Sequence, residues 1–389
     1  MRRKLGAGAA LLCALWLPVA GVQAAAPRWT LLAYMQTSGQ LEAAANGYLQ
    51  QFGEALEGQA RGGQVQVAAQ VEGAGALADP GLARRVVWSG GERTETQVRS
   101  GEMDAPGAVS DFLAWGVRAA PAERYLLLVL GHGRPPDENG PWPGGFRLSH
   151  LAQGLARSGP DKLEVVFLDC CYAGSMESAH LLRAEARFLV APPGLLYAPG
   201  LPWGRILAAL VARPEMTPRE LSVLAVDQAR ELWSAQPGRT AGLLAMDLER
   251  AGELRPAVGD LAQALRAALE PSLANLTLAR GQAMAWGAQA EVVDGTALAE
   301  ALAQVSAEPG VAQAAARLAG ALRAATVVAW AQGSGGGQTV CGPALYFPLG
   351  LGPGLARYEN WPAGSLPAAW SPLLRAYLER MAGSGQAGA

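Results

Sequence analysis

Two short strings carry the residue types of nucleophilic catalysis: Gly131-His132-Gly133 and Asp169-Cys170-Cys171. An imidazole can take the proton of a thiol, and the thiolate can then attack a carbonyl carbon, provided the two side chains meet. A free cysteine titrates near about 8.5, so a neighbouring group must favour the thiolate at neutral pH. A histidine can do so, and so can the N-terminus of the helix that Gly174-Ser175 is expected to open. Glycines on both sides of His132 let the chain turn sharply and let a substrate approach the backbone. The amides of Gly133 and Cys171 are then the candidate donors to an oxyanion. Asp169, two residues before Cys171, would favour a cationic side chain through a charge-assisted pair; equally, it could cap the turn out of its strand. Cys170 reads as a small buried hydrophobe. Spacing alone also leaves open the plainer alternative, in which His132 ends a strand and both cysteines are packing residues.

Each string follows a continuous apolar run, residues 125–130 and 163–168. Uninterrupted runs are what strands need when helices cover both faces of their sheet. In such a sheet the reactive crevice lies beyond the carboxyl ends of the strands. Strands are further expected at 29–35, 64–71, 85–88, 188–191 and 240–246, and helices at 40–57 and 108–119. Thr217-Pro218-Arg219-Glu220 is a capping box with proline in the first turn, opening a helix to about Trp233. This alternation predicts an α/β layered fold with a mostly parallel central sheet flanked by helices. From Glu249 to about Ala325 the chain is Ala-, Leu- and Arg-rich and reads as helical. A flexible Gly-Ser-Gly-Gly-Gly loop at 333–337, a returning strand near 344–347 and a terminal helix with a frayed tail from Gly383 complete the expectation. Three units result: a leader at 1–24, a domain with both motifs at 25–250, and a helix-rich C-terminal region at 251–389.

Half of the 389 residues are apolar and the mean hydropathy is +0.13, so the chain can bury a core. With 31 basic against 33 acidic side chains it lacks the clustered positive field of a nucleic-acid protein. Four cysteines are too few for a disulfide scaffold. Arg2-Arg3-Lys4, an apolar stretch and Val22-Gln23-Ala24 have the layout of a secretory signal cleaved after Ala24. Its loss takes three positive charges from a chain of net charge −2, leaving −5. Cys13 leaves too, and the odd number that remains implies an unpaired thiol in an oxidising compartment. No later stretch is uninterrupted enough to span a bilayer, so the mature protein is expected to be exported, periplasmic or secreted, without stable membrane insertion. His150 and His180 lack metal-ligand spacing, and no phosphate-binding loop is present. Nothing here fixes an oligomeric state.

Tyr34-Met35 with Leu41-Glu42, Leu130-Gly131-His132-Gly133, and the string from Phe167 to Glu177 together resemble the clostripain family of cysteine peptidases. Asp247-Leu248 and Tyr346-Phe347-Pro348 follow in the family's order, so the resemblance spans about residues 29–349. Asp169-Cys170-Cys171-Tyr172-Ala173-Gly174 is also similar to metacaspases of the same clan. The resemblance implies a caspase-like fold, Cys171 as nucleophile, His132 as general base, and Asp169 in a pocket for Arg or Lys before the scissile bond. It implies a peptide or protein substrate, and maturation by cleavage between the motifs, where Arg134, Arg147, Arg157 and Lys162 lie. The chain departs from the family at three places. Gln36-Thr37-Ser38-Gly39 replaces an acidic stretch, Gly131 a frequent aspartate, and Pro192-Pro193-Gly194 a common Ser-Glu-Glu. No cofactor is expected: calcium is suggested by the resemblance alone, and these departures remove the acidic residues that would favour it. The expectation is an exported cysteine endopeptidase. The alternative is a secreted, catalytically inactive binding or scaffold protein of the same fold, for which the lost acidic positions speak.

Overall fold

The computed structural model describes residues 26–37, 41–59, 63–72, 81–133, 147–236, 238, 240–286, 291–333, 338–339, 341–361 and 364–386. The expected leader, Ser38-Gly39, Arg134 and most of the loop at 333–337 lie outside them. The first part of the chain runs β1 (Trp29–Met35), α1 (Glu42–Leu56), β2 (Val65–Glu72), β3 (Leu82–Ser89), β4 (Glu92–Arg99), α2 (Pro106–Ala119) and β5 (Arg124–Leu130). It continues with α3 (Leu148–Ser158), β6 (Leu163–Asp169), α4 (Met176–Leu182), β7 (Ala186–Ala191), α5 (Trp203–Ala212), α6 (Pro218–Ser234) and β8 (Ala241–Asp247). The capping box at Thr217 and Glu220 forms at the start of α6 as expected.

Ten strands make one sheet in the order β12-β11-β8-β7-β6-β5-β1-β2-β3-β4, with β11 (Thr326–Gln332) and β12 (Gln338–Thr339) supplied from the C-terminal part. Its centre, β7-β6-β5-β1-β2, is parallel throughout, and the antiparallel pairings lie at the two margins. The strands β5 and β6 are apolar on both sides because each side meets a separate core. On β5, Leu126, Leu128 and Leu130 pack towards α1, α5 and α6, while Leu127 and Val129 pack towards α2, α3 and the C-terminal helices. The continuous apolar runs in the sequence are the two-faced burial written along the chain.

Several elements went unread in the sequence. β4, Glu-Arg-Thr-Glu-Thr-Gln-Val-Arg, is an almost wholly exposed edge strand with no apolar face to mark it. The two-residue Gly90-Gly91 turn before it, both residues at positive φ, was the available signal. Beyond β8 the helical stretch holds α7 (Leu254–Ala267) and α8 (Leu269–Gln282), then the short strands β9 (Ala285–Trp286) and β10 (Val292–Asp294), then α9 (Gly295–Val305) and α10 (Pro309–Ala325). α10 ends at Ala325, yet β11 follows without a loop and pairs with β8. The returning strand, β13 (Ala344–Tyr346), joins a separate three-stranded sheet, β13-β10-β9, rather than the main one. α11 (Pro353–Glu359) and α12 (Leu366–Gln386) close the chain, with α12 continuing past Gly383. Among the described residues no helix is long and apolar enough to cross a membrane.

Phe167 of β6 meets Trp203 of α5 edge to face, with ring centroids 4.9 Å apart. Both side chains are fully buried. Phe167→Ala is expected to lower stability by about 3–5 kcal/mol, read as a lower midpoint in denaturant titration.

Candidate active site

β5 and β6 pair in parallel with Leu130 opposite Asp169. His132 and Cys171 each stand two residues past that rung, so both motifs leave the sheet at the same level. The fit between them is close. A Cβ on Gly133 would stand 2.0 Å from the carbonyl oxygen of Cys171 and 2.7 Å from its nitrogen, so only glycine allows this approach. Both side chains are half-buried and line one groove of about 480 Å³. α1 contributes Ala44, Gly47, Tyr48 and Gln51 to its wall, and the stretch from Leu196 to Gly200 closes the other side. The strand order reverses between β1 and β5, and the groove sits at that switch.

The turn that carries Cys171 is held in an uncommon shape. Tyr172 has φ +58°, a left-handed conformation rare for a non-glycine residue, and its N–H donates to Gly194 O at 2.8 Å. The Gly174 N–H donates to Pro192 O at 2.7 Å, and a Cβ on Gly174 would meet Ala191 O at the same distance. The helix expected to favour the thiolate begins only at Met176, capped by Ser175, with the turn intervening. The donor that reaches the sulfur is instead the Leu196 amide, 3.3 Å from Cys171 Sγ. Burial pushes the Cys171 thiol up, and this amide offsets part of the rise.

Asp169 sits in the wall of the same groove and is almost completely buried. Its Oδ2 accepts a 2.5 Å hydrogen bond from the Tyr48 hydroxyl, which in turn accepts from the Leu201 N–H at 3.0 Å. Its Oδ1 is buried without a hydrogen-bond partner. Burial pushes the carboxyl up to about 6, against the opposing pull of Tyr48, the Leu201 amide and the Trp203 indole. Tyr48, Leu196 and Trp203 were not singled out in the sequence; a tyrosine inside an amphipathic helix carries no mark of its use.

Cys170 points away from the groove into the core on the α2 side, its Sγ 3.6 Å from Val129 O. Cys170, Cys171 and Cys341 are all free thiols, and Cys341 is buried. His150 lies on α3 and His180 on α4. Arg147 stands just before α3 and pairs with Asp104 at 3.8 Å, and Arg157 lies in the last turn of that helix. Among the described residues no cluster of three or more histidine, cysteine or acidic side chains could hold a metal ion.

Residues 144–305 match the Clostripain family, Peptidase_C11, a stretch that includes Cys171 and begins past His132. No curated protein matches the sequence. Among solved structures, a secreted C11 cysteine protease from Bacteroides thetaiotaomicron in complex with an irreversible peptide inhibitor is 13% identical, with TM-score 0.65 over 90% of this chain and 99% of that one. A second structure of a secreted C11 cysteine protease from that organism, iotapain, is 14% identical with TM-score 0.67 over 88% and 99%. An inactive zymogen C11 protease from Parabacteroides distasonis is 12% identical, with TM-score 0.59 over 85% and 90%. At such identities the likeness is one of fold, and it is the caspase-like arrangement of a mostly parallel sheet between helices. Residues 144–305 are thus similar to the clostripain family of cysteine peptidases, and across nine-tenths of its length the chain has the fold of solved C11 cysteine proteases.

Proposed function

We propose that this clostripain-type cysteine endopeptidase is exported and cuts peptide bonds through Cys171 and His132, after an arginine or lysine received by Asp169. One observation carries the reading: His132 and Cys171 lie two residues beyond register-paired strand ends, on one groove that also contains a buried carboxylate. The leader-like first 24 residues support export, as does the description of two proteins of like fold as secreted.

Burial keeps the resting Cys171 in its thiol form, so the nucleophile is generated during the reaction. His132 takes the thiol proton as Sγ bonds to the carbonyl carbon. The oxygen that gains the charge accepts hydrogen bonds from the Gly133 and Cys171 amides. The imidazolium then returns the proton to the departing amine as the C–N bond breaks, leaving a thioester on Cys171. Water, deprotonated by His132, attacks that thioester, and the acid leaves with the thiol restored.

Fluorogenic peptides ending in arginine or lysine test this directly. Cys171→Ala and His132→Ala are each expected to lower kcat/KM by about a thousandfold or more, whereas Cys170→Ala retains hydrolysis. Equal rates from wild type and Cys171→Ala would reject the dyad and leave the fold as a binding scaffold.

The raised pKa of Asp169 gives a second expectation. Below about 6 the carboxyl takes up its proton and loses its attraction for a cation, so kcat/KM for basic peptides falls as pH drops through that value. The same shift acts on stability with a definite sign. The folded-state pKa lies above the unfolded one, so the charge disfavours folding above pH 6, and that cost disappears as the pH falls towards 4. Relative to Asp169→Asn, the wild type should therefore gain melting temperature between pH 7 and pH 5. Parallel curves for the two proteins would show that the carboxyl is not buried as charged.

A further inference from the structure

We infer that the groove continues into a second, apolar subsite beside Trp233, which takes a small aliphatic side chain two residues before the basic one. The inference rests on the proposed roles of Cys171, His132 and Asp169. Leu196 and Tyr197 form a wall common to the groove and to a narrow slot next to it. The slot is also lined by Leu195, by Trp233 of α6, by Ala241 of β8 and by Gln332 of β11, and its surface is mostly apolar. The amide and indole donors there are engaged. Gln332 Nε2 donates to Trp233 O at 3.4 Å and to Gln236 O at 3.1 Å, and the Trp233 indole donates to Gly200 O at 3.3 Å. The same Gly200 lies against the carboxyl, since a Cβ on it would stand 3.3 Å from Asp169 Oδ1. Trp233 therefore reaches from the neighbourhood of Asp169 to the slot.

The chemistry fixes which part of a substrate meets the slot. His132, past β5, returns its proton to the departing amine, so the leaving part lies on the β5 side. The acyl part runs the other way from Cys171, past β7 towards β8 and β11, where Ala241 and Gln332 line the slot. In an extended peptide alternate side chains face one side and lie about 6.6 Å apart. Tyr48, which holds Asp169, belongs to the same core as Trp233 and Ala241, and Leu196 packs against that core. Carboxyl and slot thus lie on one side of the sheet. The residue two before the basic one points to the slot, and the residue between them points away. Free space in the slot is about 10 Å³, against about 480 Å³ in the groove. That is about the room of one water molecule. It suffices for a methyl-sized tip such as valine carries, and an aromatic ring would have to force the wall apart.

The test uses two series of fluorogenic peptides with lysine before the scissile bond. The first carries glycine, alanine, valine or phenylalanine two residues before the lysine, and the second carries them next to it. In the first series kcat/KM for valine should exceed that for glycine by about fourfold, the worth of one buried methyl-sized group. Phenylalanine should gain nothing over glycine, and the second series should not show this order. Ala241→Val fills the slot from β8 and should bring the valine-to-glycine ratio close to one. Leu195→Ala widens it and should raise the phenylalanine-to-valine ratio instead. A merely structural role for these residues would slow all the peptides alike and move neither ratio. A flat first series with cleavage after lysine intact overturns the inference. So does an order that appears only in the second series, or ratios unmoved in both folded variants. Failure of the underlying roles shows separately: Cys171→Ala as fast as the wild type removes the nucleophile, and norleucine cut as well as lysine removes the role of Asp169, whatever the slot prefers.

Discussion

The rung that sets Leu130 opposite Asp169 fixes the geometry on which the rest of the site depends. Both strands are apolar on both faces, so polarity alone would not hold their register. Contacts just past the strand ends do. The Gly131 N–H reaches Asp169 O at 3.5 Å, and Gly133 lies so close to the Cys171 backbone that no side chain fits between them. A shift by one residue would turn Asp169 out of the groove and carry Cys170 into it, because neighbours on a strand face opposite sides. Histidine and thiol thus line one groove because two buried strands end together, and the groove opens beside them where the strand order reverses between β5 and β1.

The price of this arrangement is two groups held in an environment that disfavours their charged forms. Asp169 and Cys171 are both pushed up by burial, and each is eased by donors from the same neighbourhood, Leu201 and Tyr48 for the carboxyl and Leu196 for the thiol. The large aromatic core beneath, where Phe52 and Phe167 pack against Trp203, offsets such costs. A low dielectric also strengthens whatever pairs with these groups. Water competes poorly for Oδ1 or for the sulfur, so a substrate that reaches them gains more than it would at an open surface.

How much of this was legible in the sequence follows from where burial leaves a mark. The strands β5 and β6 are readable because helices cover both faces and the runs are apolar, and β2 is readable from its Val-rich alternation. His132, Cys171, Gly133 and Asp169 were readable because glycine, histidine and cysteine at strand ends are unusual. β4 is polar and lies at an edge, and β11 follows α10 without a break, so neither announced itself. The amide acting on the sulfur came from Leu196, twenty-five residues along, rather than from the nearby helix, because the turn after Cys171 delays α4 until Met176. Tyr48 is the clearest omission. Its use depends on α1 lying over the end of β6, a long-range fact with no local signature.

The C-terminal part belongs to this site as much as the motifs do. β11 extends the main sheet beside β8. β13 reaches the turn that carries Cys171: the Ala344 N–H donates to Gly174 O at 2.9 Å, next to a parallel bridge with Ser175. One helix later, Tyr358 donates to the fully buried Glu177 at 2.7 Å, and the Met176 side chain fills the space over Gly295, where a Cβ would meet it at 2.1 Å. These contacts hold the segment just past Cys171, and the Pro192 and Gly194 carbonyls hold it as well by accepting the Gly174 and Tyr172 N–H groups. A tyrosine at positive φ costs about 1–3 kcal/mol and persists only where its surroundings over-determine it. Tyr172 is such a case. Residues 170 places further along the chain help to hold the backbone in the shape that presents Cys171 to the groove.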